Sequence, residues 1–100
     1  MPAIPRTMKA VVLQEPRRLT VEQVPVPEIG PHEILLKVGA CAMCGSDLEA
    51  YWGIHPSVKR YPVVLGHEFA GTVVAAGPKV RRYRVGDRIC HTGGRVCGVC

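Results

Sequence analysis

The sequence predicts a mainly β chain, an irregular barrel of short strands with one or two short helices. Three observations carry that expectation. Apolar residues run in short stretches, some alternating with polar ones and some continuous and β-branched. Nine prolines and eleven glycines interrupt these stretches too often for long helices. Helix punctuation is concentrated between Ser46 and Gly53.

Met8–Leu13 reads as the first strand, and Leu19–Val24 alternates as its partner beyond Pro16 and the Arg17-Arg18 pair. Pro25, Pro27, Gly30 and Pro31 then form a rigid connector, because proline lacks the N–H that sheet pairing requires. Glu33–Cys41 places Ile34, Leu36, Val38 and Ala40 on one face, the pattern of a half-buried strand. Ser46-Asp47-Leu48-Glu49 matches a capping box, and Gly53 can end the short helix it starts. Phe69–Ala76 is a β-branched, apolar strand. Turns at Gly77-Pro78 and Val85-Gly86-Asp87 lead to Arg88-Ile89-Cys90.

One hundred residues, 47% of them hydrophobic, make a single globular domain at most. No apolar run approaches the roughly 18 residues of a membrane span, and Met1–Lys9 lacks a signal-peptide core. The expectation is a cytoplasmic protein with no membrane partner. In that compartment five cysteines, an odd number, point to metal ligation rather than disulfides. Thirteen Lys and Arg against eight Asp and Glu give a net charge of +5, concentrated in Lys79, Arg81, Arg82, Arg84 and Arg88. With Tyr83 among them these cations could grip nucleic acid, but a solvated hairpin explains them as well, and no nucleic-acid partner is expected.

The chemistry-bearing residues fall in small groups. Cys44 sits where a strand gives way to a helix, and a helix N-terminus favours the thiolate that binds metal; a buried structural thiol is the alternative. His67 lies between Gly66, which permits close backbone approach, and Glu68, an acid in an apolar stretch. A buried Glu68 would need a metal or a cation nearby. Thiolate, imidazole and carboxylate are the donors that hold a catalytic zinc while leaving one position open. Ser46 can serve as a helix cap, and Asp47 as a favourable acid in a first helical turn. Tyr51 and Trp52 could wall a pocket or pack over the barrel. The gap between Cys44 and Cys97 far exceeds the roughly 15–20 residues of a zinc ribbon, so Cys41 and Cys90 are read as bystanders. Cys97 and Cys100 have the spacing that lets two thiolates meet one tetrahedral ion.

Taken in order, Cys44-Gly45-Ser46-Asp47, Gly66-His67-Glu68, Gly86-Asp87-Arg88 and Cys97-Gly98-Val99-Cys100 resemble the N-terminal catalytic domain of zinc-dependent medium-chain alcohol and polyol dehydrogenases. The resemblance covers essentially the whole chain. It implies a GroES-like β fold and a catalytic zinc on Cys44 and His67, with Glu68 as third or exchanging ligand. It also implies a proton relay starting at Ser46, an Asp47 that supports His67, and a structural zinc on Cys97 and Cys100. The implied reaction is reversible NAD- or NADP-linked oxidation of an alcohol or polyol, in an enzyme that is commonly a homo-oligomer. Two positions depart from many alcohol dehydrogenases: Glu49 stands where a relay histidine is common, and Gly45 where Arg or His is common. These leave the proton exit path and the alcohol specificity open. No Gly-x-Gly-x-x-Gly occurs in the sequence. Residues 1–100 therefore read as a partial catalytic domain whose nucleotide-binding domain lies elsewhere, inactive alone. The alternative is a stand-alone zinc-binding β-barrel module without redox activity.

Overall fold

A computed structural model describes residues 3–91. These residues form two antiparallel three-stranded sheets and one α-helix. The first sheet has the order β2-β1-β4 and contains β1 (Thr7–Glu15), β2 (Arg18–Pro25) and the two-residue β4 (Val63–Val64). The second has the order β3-β5-β6 and contains β3 (Ile34–Ala42), β5 (Glu68–Ala76) and β6 (Arg88–His91). Helix α1 (Gly45–Trp52) leaves β3 after a two-residue step. Cys97 and Cys100 lie outside the described residues. Among those residues, no helix is long and apolar enough to cross a membrane.

β1 and β2 pair from Thr7↔Pro25 to Glu15↔Arg18 around a two-residue turn, Pro16-Arg17. The connector after β2 is free of strand, as its prolines require. The core is thin. Among the described residues, Ala10, Val12, Leu13, Ala50 and Val73 are the buried apolar ones, and only Leu13 and Val73 are fully enclosed, in a body of 39 × 35 × 20 Å.

Strand β3 departs from the expected half-buried face. Ile34 and Leu36 are half-buried, but Val38 is 53% exposed and Ala40 is exposed. The β3–β5 register slips between Leu35 and Leu36 and again between Val38 and Ala40. Each slip breaks the two-residue alternation on which the single-face expectation rests. At the second slip the chains approach closely: a Cβ on Gly71 would run into the Lys37 carbonyl oxygen.

The helix also starts earlier than the Ser46–Glu49 pattern suggests. Its N-cap is Cys44, in extended conformation, and Asp47 stands at the third helical position. The Cys44 N–H donates to Asp47 Oδ2 at 3.0 Å. Asp47 thus makes the return bond expected of Glu49, and Ser46 lies inside the first turn, where it caps nothing. Gly53 ends the helix as expected, with φ 78° and its N–H bonded to the Ala50 carbonyl.

Candidate metal centre

Two chain crossings build the site. Residues 65–67 carry the chain from β4 in the first sheet to β5 in the second, while residues 43–44 carry it from β3 into α1. Gly66 makes the first crossing possible. Its φ of 110° is disfavoured for any residue with a side chain, and a Cβ there would stand 3.1 Å from Cys41 Sγ. The turn brings His67 and Glu68 opposite the start of α1.

Cys44, His67 and Glu68 then present one ligand atom each within 4.8 Å of one another, and all three are half-buried. No other group of three or more His, Cys, Asp or Glu side chains converges in this way among the described residues. Tetrahedral zinc with bonds of about 2.0–2.3 Å holds its ligand atoms roughly 3.3–3.7 Å apart. Side-chain adjustments of about an ångström would close that gap, so soft thiolate, imidazole and carboxylate fit a zinc ion in both type and spacing. Glu68 differs from the sequence reading in one respect: it is half-buried rather than buried, because it opens β5 at the sheet's end, so burial does not require a partner for its charge.

Asp47 Oδ1 lies 3.6 Å from His67 Nδ1, too far for a strong hydrogen bond but near enough to favour a proton on that nitrogen. That leaves Nε2 as the atom with a free lone pair, and Ser46 Oγ lies 3.3 Å from it. Hydrogen bonds from the Ser46 side chain, the Ser46 main chain and the His67 ring hold the Cys44 thiol below its ordinary pKa, against partial burial and the Glu68 charge. The hydrogen bond with Cys44 raises the pKa of His67. The charges of Asp47, Cys44 and Glu68 add to that effect and partial desolvation opposes it. Each shift therefore favours the charged form of its own group, while in the neutral ring Nε2 keeps its lone pair for a metal.

His91 also belongs to the site's surroundings. Its Nδ1 lies 3.1 Å from the His67 carbonyl oxygen, and its ring stacks on Phe69 with centroids 5.0 Å apart. No sequence signal marks it; only the β5–β6 register, Phe69↔His91, puts it there. Cys41 and Cys90 are exposed and stand outside the ligand cluster. Trp52 is 53% exposed and lies beneath the Arg17 guanidinium, 5.0 Å from the ring centroid, with Tyr51 edge-on to it.

The profile of the alcohol dehydrogenase GroES-like domain matches residues 30–100. The chain is 42% identical over 99 residues to sorbitol dehydrogenase of Bacillus subtilis (strain 168), covering 97% of the chain and 28% of that protein. It is 45% identical over 96 residues to L-threonine 3-dehydrogenase of Chelativorans sp. (strain BNC1), covering 93% and 28%. It thus spans 28% of the length of these two curated relatives. Among solved structures it is similar to acetophenone reductase from Geotrichum candidum NBRC 4597 in complex with NAD. That match has a TM-score of 0.84 and 39% identity, and covers 99% of this chain and 29% of the other.

Proposed function

This chain belongs to the family of the alcohol dehydrogenase GroES-like domain, the N-terminal catalytic domain of zinc-dependent medium-chain dehydrogenases, and from that premise we propose that it holds the catalytic zinc of an NAD- or NADP-linked oxidoreductase acting on an alcohol or polyol. The convergence of the Cys44, His67 and Glu68 ligand atoms carries this reading. Relatives named for sorbitol and L-threonine support a small polar alcohol as substrate. The NAD in the acetophenone reductase complex supports a nicotinamide cofactor. Because the chain covers little more than a quarter of these relatives, residues 1–100 act as part of a catalytic domain, and the nucleotide is bound mainly by a domain outside them. Cys97 and Cys100 belong to a structural zinc, and the complete enzyme is a homo-oligomer.

When bound, zinc supplies Lewis-acid polarisation of the substrate oxygen, and the nicotinamide supplies the hydride acceptor. Cys44 Sγ, His67 Nε2 and a Glu68 oxygen would hold the ion, with Glu68 as the ligand best able to exchange. Asp47 keeps the His67 proton on Nδ1, so that Nε2 can ligate. With Nε2 given over to the ion, the Ser46 hydroxyl would be free of its present partner and available to the substrate's hydroxyl. It can accept that proton at Oγ while passing its own to solvent water.

Cobalt(II) titration tests the site, in a Cys97→Ser, Cys100→Ser background that removes the other candidate thiolate pair. The parent should show thiolate-to-cobalt charge-transfer absorption that zinc abolishes. Cys44→Ser and His67→Ala should lack it. In the complete enzyme the same two substitutions should remove the catalytic zinc and nearly all NAD(P)-linked alcohol oxidation. Unchanged metal binding in both variants would sink the proposal. Metal binding without turnover in the complete protein would favour a zinc-binding module instead.

A further inference from the structure

The turn between β1 and β2 breaks a local rule. Pro16-Arg17 is a two-residue hairpin turn, and Arg17 has φ 70°, a left-handed conformation normally left to glycine or asparagine. Glycine would relieve that strain, so the arginine side chain and its surroundings need an explanation.

The explanation lies at the far end of α1. The Arg17 N–H donates to the Tyr51 carbonyl at 2.7 Å, satisfying an acceptor that the helix end leaves without an internal partner. The Arg17 guanidinium lies over the Trp52 ring at 5.0 Å. Gly53 is pressed against Pro16, where a Cβ would stand 2.8 Å from the proline Cγ. The last turn of α1 has no basic residue of its own, so Arg17 brings a cation to the negative end of the helix dipole. Ala50 is the one buried residue among the eight of α1, so apolar packing ties the helix down weakly. The same helix carries Cys44 at its N-cap and Ser46 and Asp47 in its first turn, about 12 Å away along its axis.

We propose that Arg17 is a positioning residue for the metal centre. The strained turn docks the hairpin onto the C-terminal end of α1 and thereby fixes where its N-terminal end meets His67. The inference rests on the metal-site reading above for its consequence, but the docking is a property of the chain itself. Arg17→Gly separates it from a merely structural role, because glycine keeps the turn and the N–H while removing the guanidinium.

In the 100-residue chain, Arg17→Gly should leave the denaturation midpoint unchanged or raise it. Exchange of the Gly53 and Ile54 amides should nevertheless quicken by about three- to fivefold, the size expected of an exposed cation–π contact. Cobalt(II) affinity in the Cys97→Ser, Cys100→Ser background should fall by a similar factor, and Arg17→Lys should recover part of both. Trp52→Leu removes the other partner without touching the turn, and combining it with Arg17→Gly should add little further loss. Exchange rates and cobalt affinity equal to the parent's in Arg17→Gly would overturn the proposal. If the parent itself bound no cobalt, the metal-site reading would fail, while amide exchange would still decide the role of Arg17.

Discussion

Ser46 Oγ lies 3.3 Å from His67 Nε2, joining the first turn of α1 to the residue just before β5. The direction of this hydrogen bond depends on the imidazole. With Nδ1 alone protonated the hydroxyl donates to Nε2, and with both nitrogens protonated Nε2 donates to the hydroxyl. Ser46 can therefore hold a proton or pass one on.

Because Cys44 and Asp47 cap the helix, Ser46→Ala should change stability by no more than about 0.5 kcal/mol. Turnover of the complete enzyme should nonetheless fall roughly 10²-fold or more through loss of the proton path. Thermal melting and steady-state kinetics on one preparation decide the matter. A lowered melting temperature with normal turnover would return Ser46 to a capping role.

Asp47 serves two groups through two oxygens, the Cys44 N–H and His67 Nδ1. Asp47→Ala should cost about 1 kcal/mol of stability from the lost hydrogen bond, and metal affinity should drop about 10–100-fold as His67 loses its orienting charge. Asp47→Asn keeps an acceptor for the cap but not the charge, so it should retain most of the stability and little of the affinity. Equal affinity in Asn and Ala variants, both at the parent's level, would show that the carboxylate does not orient His67.

Acidity should act on the two principal ligands in opposite ways. The Cys44 pKa is lowered, chiefly by its hydrogen bonds with Ser46, so its thiolate persists below the ordinary value of about 8.5. The His67 pKa is raised, chiefly by its hydrogen bond with Cys44, so on acidification it takes up a proton above the ordinary value of about 6.5. An imidazolium cannot ligate. Metal affinity should therefore begin to fall at a higher pH than an ordinary histidine would dictate. Cobalt titrations across pH, and iodoacetamide alkylation of Cys44 resolved from Cys41 and Cys90 by peptide mapping, measure the two directions separately. Zinc should protect Cys44 from alkylation.

Gly66→Ala should destabilise the chain by about 1–3 kcal/mol, since alanine must adopt a positive φ. It should also displace His67 and weaken metal binding. Cys41→Ala removes the sulfur that the new methyl group would meet, but not the backbone strain, so the double variant should recover only part of the loss. Full recovery would trace the whole cost to the sulfur contact.

The residues that punctuate this chain were the most readable. Gly53, Gly66 and the proline connector have conformations that their chemistry nearly dictates, and they bound the strands and the helix closely. The helix start was misread by two positions because Ser-x-x-Glu at 46–49 and Cys-x-x-Asp at 44–47 overlap, and cysteine is a poor guide to an N-cap. The single apolar face of β3 was lost to register slips, which depend on the partner strand and leave little trace in β3 itself. The meeting of Cys44, His67 and Glu68 was suggested by residue type and motif order. The roles of His91 and Arg17 were not, because each acts through a tertiary contact with a main-chain carbonyl.

The β3–β5 ladder ends at the pair Ala42↔Glu68, and Cys44 and His67 stand just beyond that last rung. A metal gripping both would act as a clasp at the mouth of the loop formed by residues 45–66. The ladder has already drawn the loop's ends together, so the clasp would meet little further entropic resistance in the folded chain. Unclasped, the rungs Ala42↔Glu68 and Cys41↔Phe69 are the ones that fraying reaches first. Loss of the ion would therefore loosen the sheet from the site outward, and slow amide exchange along β5 would report how firmly the clasp is fastened.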